Sequence, residues 1–94
     1  MSKIDERDEL WELMMEIRDK KKCDVRLVTG KNTHYIPFLL ISTEVTSHFL
    51  AYIQVNAVDL CKYMEKMGKQ NTVTRLEKSI DQSVKRVRKK FGYD

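Results

Sequence analysis

Little in this chain of 94 residues would bend or cross-link it: two cysteines, one proline and three glycines. So few glycines and prolines leave no room for a long flexible or polyproline linker. Two thiols are too few for a disulfide framework, so Cys23 and Cys61 read as reduced, buried small hydrophobes. The longest apolar run, Ile36 to Ile41, falls far short of the ~20 residues that cross a bilayer. The N-terminus is charged from its third residue and has no apolar segment of the secretory type. A cytoplasmic protein with no membrane association is the expectation.

Patterns that carry catalysis or metal are missing too. With glycine only at 30, 68 and 92, no phosphate-cradling loop exists. Cys23, His34, His48 and Cys61 make a Cys2His2 set in composition only. Neighbouring members lie more than ten residues apart, whereas structural zinc sites use pairs about two to five apart. A Cys–His nucleophilic pair has no support in the sequence either, since any such combination could come only from the fold. The acids at the start of the chain crowd one end of an expected helix, as capping and solvation require, rather than forming a separated pair for acid–base work. These absences point to a protein that is not an enzyme and needs neither cofactor nor metal.

What is present is globular: 41% hydrophobic and 34% charged residues. This length supports one core, so residues 1–94 are read as a single domain. Residues 5–21 have helical spacing, with Asp5 as cap and Lys20, Lys21 and Lys22 closing the C-terminal end. Leu10, Leu13, Met14 and Ile17 form its apolar stripe. Residues 23–29 alternate as a strand, Gly30-Lys31-Asn32 signals a turn, and residues 34–41 give a second strand. Pro37 cannot donate to a ladder, which points to an edge or bulged strand. Residues 42–48 are rich in serine and threonine and read as a connection. Residues 48–55 alternate as a third strand, although a helix from Thr43 is the competing reading. Asn56 caps a helix over 57–67 that Gly68 stops, and Asn71 or Thr72 caps a last helix over 73–91 before Gly92. The order of elements predicts an α+β domain: an N-terminal helix, an antiparallel hairpin or three-stranded sheet, and two C-terminal helices.

Charge is unevenly distributed. Residues 1–19 carry seven acids and three bases, and residues 71–94 carry seven bases and three acids. In the last helix Val73, Leu76, Ile80, Val84, Val87 and Phe91 fall on one arc of about 80°, at ~100° per residue. Arg75, Lys78, Lys85, Arg86 and Lys89 share an opposite arc of about 100°, with Glu77 and Asp81 off to one flank. Such a stripe suits phosphate backbones. The run from Met67 to Leu76 also resembles the turn and recognition-helix start of helix-turn-helix DNA-binding proteins. It departs from them in a turn that is one residue short and in a longer second helix. That resemblance implies that Gln70, Asn71, Thr72, Thr74, Arg75 and Lys78 face a major groove.

Trp11 and Met15 widen the apolar arc of the first helix to about 200° at ~100° per residue, more than a surface helix on a small domain needs. They are candidate partner-binding residues, since tryptophan anchors interfaces and methionine adapts to them. Two readings result. One is a small basic nucleic-acid-binding accessory or regulatory protein, expected to be a homodimer, using the last helix. The other is a compact protein-binding inhibitor or adaptor of phage or mobile-element type, engaging a host target through the first helix.

Overall fold

A computed structural model of the protein describes residues 3–29 and 36–92, with side chains from Glu9 onward. The expected turn at 30–32, His34 and the side chain of Asp5 lie outside the described residues. Helix α1 spans Lys3–Lys21, strands β1, β2 and β3 span Asp24–Val28, Phe38–Glu44 and Leu50–Asn56, and helices α2 and α3 span Ala57–Met67 and Lys69–Lys90. The strands form one antiparallel sheet in the order β1-β2-β3. This is the expected α+β arrangement, with three strands and residues 50–56 extended rather than helical.

Alternation decides which residues enter the core. Cys23, Val25, Leu39, Ile41 and Ala51 are buried on one face of the sheet, and α1 and α3 pack there over β1 and β3. Leu10, Leu13, Met14 and Ile17 of α1 meet Val73, Leu76 and Ile80 of α3 and Leu60 and Met64 of α2 in one continuous cluster. The stripe read on α1 is therefore its core face. Leu27 belongs to the same face of β1 but is 47% exposed.

Helix α1 begins at Lys3, so Asp5 lies within it and is not its cap. Three further sequence expectations change. Strand β2 begins at Phe38, four residues later than read, and runs on through Ser42, Thr43 and Glu44. Ser42 and Glu44 fit there because they lie on the face of β2 turned to solvent, and Thr43, on the other face opposite Ala51, is itself a good strand former. Second, β2 is the central strand and not an edge. Pro37 is tolerated because it precedes the strand, where its carbonyl accepts from the Ala57 amide at 3.0 Å and its missing N–H costs nothing. Third, α3 starts at Lys69, so neither Asn71 nor Thr72 caps it.

Gly68 is the whole connection between α2 and α3. Its φ of 88° and ψ of 158° lie in a region that only glycine occupies readily. From there its amide closes α2 on the Met64 carbonyl at 2.8 Å. At the other end of α2 the Asn56 side chain accepts from the Val58 and Asp59 amides at 2.9 and 3.1 Å, the cap that was expected.

Candidate nucleic-acid interface

Helix α3 has 22 residues and a length of about 33 Å at ~1.5 Å per residue, yet it is buried mainly over its first half. Thr72, Val73, Leu76 and Ile80 are fully enclosed. Val84 and Val87 are half-buried, and Phe91 is 45% exposed, stacked on Phe49 of the β2–β3 turn at 4.2 Å. The seam read from sequence is thus correct in direction but fades along the helix as the domain beneath it ends.

Arg75, Lys78, Lys85, Arg86 and Lys89 are all exposed on the face opposite that seam. The stripe covers about 21 Å from Arg75 to Lys89, the length of about six base pairs. Among the described residues none of the five forms an ion pair with a carboxylate. The reason lies on the flanks. Glu77 is drawn to Lys20 at 3.6 Å and Asp81 to Lys21 at 2.6 Å, both lysines at the end of α1. In return Lys69 sits 3.6 Å from Glu12 and 3.7 Å from Glu16. These contacts set α1 and α3 side by side in the same direction. They also confine the acids to the seam between the two helices. Each exposed pair contributes no more than about 1 kcal/mol, so their effect is on where charge sits rather than on stability.

Among the described residues Arg75 is the one stripe cation with an aromatic support: its guanidinium carbon lies 4.6 Å from the Tyr63 ring centroid on α2. Such contacts are worth about 0.5–1 kcal/mol at exposed sites and fix the side chain's direction. Tyr63 was not singled out in sequence; only the α2–α3 packing brings it under Arg75.

The helix-turn-helix resemblance does not survive the geometry. Such motifs need a turn of about three to four residues, and here a single glycine joins the helices. Thr72 is fully buried, with its hydroxyl donating to the Gly68 carbonyl at 2.8 Å. Asn71 donates to the Met67 carbonyl at 2.7 Å and Thr74 to the Gln70 carbonyl at 3.0 Å. Three of the six expected groove-facing side chains therefore serve the local backbone. Gln70, Arg75 and Lys78 remain exposed.

Trp11 is 58% exposed and Met15 half-buried. Both lie on the flank of α1 turned away from α3, where Arg18 donates to the Val25 carbonyl at 2.6 Å and its other terminal nitrogen approaches the Met15 sulfur at 3.5 Å. The arrangement covers part of the outer edge of β1 with a charge. Cys23 is buried, its thiol directed at the Ile17 carbonyl, and burial raises its pKa, which makes it a poor nucleophile at neutral pH. Among the described residues no group of three or more histidine, cysteine, aspartate or glutamate side chains is placed to hold a metal ion. No described helix is long and apolar enough to cross a membrane.

Compared with family models, curated proteins and solved structures, the chain matches none.

Proposed function

We propose that this chain is a small nucleic-acid-binding accessory or regulatory protein that holds phosphates on the solvent face of α3. The observation that carries the reading is the row of five exposed cations, with the two nearby acids of α3 engaged by lysines of α1. An ordinary helix end explains only part of that row. Cations in a last turn gain about 0.3–1 kcal/mol each from the helix dipole, which accounts for Lys89 in the row and for Arg88 and Lys90 beside it. Arg75 and Lys78, in the first half of α3, gain nothing from it.

Five phosphate contacts predict a slope near −4.5 for log K against log salt on duplex DNA and near −3.5 on a single strand. From 50 to 200 mM salt, affinity should then fall about 100- to 500-fold. Anisotropy titrations across that range test the reading, with an Arg75→Glu, Lys78→Glu, Lys85→Glu variant alongside. Loss of binding in the variant supports it. A variant that binds as the wild type does, or an affinity indifferent to salt, refutes it.

The exposure of Trp11 favours a second reading, in which α1 engages a protein, either a host target or a second copy of this chain. Trp11→Ala separates the two. It leaves nucleic-acid affinity unchanged in the first reading. In the second it abolishes partner capture or dimerisation, followed by sedimentation.

A further inference from the structure

One face of the sheet has no part in that reading. Among the described residues no element packs on it, and it is ordered by register: Asp24, Ser42 and Tyr52 form one row across the strands, and Arg26, Leu40 and Gln54 form the next. Tyr52 is 56% exposed and stands next to Leu50, which is 46% exposed, and half-buried Leu40. A shallow groove of about 450 Å³ runs over this surface, bordered by Lys22, Arg26, Glu44 and Tyr52.

We propose that Tyr52 and the sheet surface around it stack the bases of a single strand whose phosphates lie on α3, so that the ligand is single-stranded rather than duplex. The inference rests on the reading of α3 given above.

The two surfaces are joined at the outer edge of β3. There the Ser83 hydroxyl donates to the Tyr52 carbonyl at 3.3 Å, which sets α3 alongside that edge. Arg86 follows Ser83 by three residues, about 60° further round towards solvent at ~100° per residue. Neighbours at that spacing have Cβ atoms about 5–6 Å apart, so Arg86 is the stripe cation nearest the sheet edge. A chain leaving the stripe at Arg86 has to round the outer edge of β3 to reach the Tyr52 ring on the face of the sheet opposite the helices.

Charge divides the work in the same way. Lys22 and Arg26 balance Asp24 and Glu44 around the groove, and Asp24 is already bound to the Arg26 Nε at 2.7 Å. Phosphates therefore gain little on the sheet and much on α3. Bases gain an aromatic plane, with the Ser42 and Gln54 side chains on the same face. A cationic track beside an aromatic platform is what sequence-tolerant single-strand binding uses. Duplex bases stack on one another and would leave Tyr52 idle. A second copy fits this face less well. Three strands at ~4.8 Å spacing and about six residues long give a footprint near 300 Å², against about 800 Å² per partner in a stable interface.

The test is an anisotropy series on a labelled oligo-dT 15-mer and a 15-base-pair duplex. It compares the wild type, Tyr52→Phe, Tyr52→Thr and the triple α3 reversal. Threonine removes the ring but keeps a good strand former, and phenylalanine keeps the ring. The inference expects a single-strand preference in the wild type and in Tyr52→Phe. Tyr52→Thr should lose about ten- to a hundredfold on the 15-mer and nothing on the duplex. Tyr52→Thr binding the 15-mer as the wild type does, while the α3 reversal still weakens it, overturns this inference alone. Binding untouched by the α3 reversal, or no binding to either probe, overturns both. Sedimentation of the same samples adds one further outcome: a wild-type dimer that Tyr52→Thr makes monomeric assigns the face to a second copy and overturns the inference.

Discussion

Gly68 shows how much one residue settles. Joining two helices through a single residue demands a backbone with φ 88° and ψ 158°, and a side chain there costs about 1–3 kcal/mol through strain alone. An added Cβ meets nothing within 4 Å, so there is no packing loss or clash to confuse the measurement. Gly68→Ala is expected to lower the urea midpoint by an amount in that range, with the slope of the transition unchanged. Loss of well under 1 kcal/mol would mean that α2 and α3 meet by a different turn. The same glycine explains why Asn71 and Thr72 were misread. Both are residues that favour caps, and both instead donate to carbonyls one turn back because the helix has already begun. A capping residue in sequence says that a helix starts nearby, not which of several candidates starts it.

Among the elements, α3 carries a gradient that its periodicity does not reveal. Its apolar positions recur evenly from Val73 to Phe91, yet only those up to Ile80 are enclosed. Ile80→Ala is expected to cost about 2–5 kcal/mol, and Val87→Ala about 1 kcal/mol or less. Hydrogen exchange should match this, with amides beyond Val84 exchanging well before those between Val73 and Ile80. Equal protection along the helix would show that its C-terminal half is covered in solution by something else, a second copy included. Strand β2 teaches a related lesson. Ser42 looks like a loop residue until the sheet is seen to have one face in water, and Thr43, paired with Ala51 on the other face, is a good strand former. The alternation that puts Ala51 and Ile53 inward then puts Leu50, Tyr52 and Gln54 on the face opposite the helices. That is why Tyr52 was legible as a strand residue and not as a site.

Across the whole molecule, charge is sorted rather than merely abundant. The chain starts acidic and ends basic. Within one chain α1 already meets α3, through Lys69 with Glu12 and Glu16 and through Lys20 and Lys21 with Glu77 and Asp81. Because these pairs are exposed, each is worth at most about 1 kcal/mol, and salt screens what they contribute. Raising salt from 50 to 200 mM should therefore move the thermal midpoint by less than about 5 °C. Over the same range the nucleic-acid affinity proposed for α3 falls by two orders of magnitude or more. Measured together, the two trends tell whether salt weakens the ligand's grip or unfolds the protein that grips it.

Local patterns were enough to establish the kinds and order of the elements except over residues 48–55, which they left open between strand and helix. Helical and strand periods, the Asn56 cap and the Gly68 stop are written in neighbouring residues, and the forces behind them act over a few residues. The apolar and basic faces of α3 follow from the same arithmetic. Which side chains meet is a different matter. That Glu77 and Asp81 are held by α1, that Tyr63 lies under Arg75, and that Ser83 fastens α3 beside Tyr52 depend on contacts between residues 12 to 60 positions apart. Those distances close only when burying the shared core has fixed how the helices lie on the sheet.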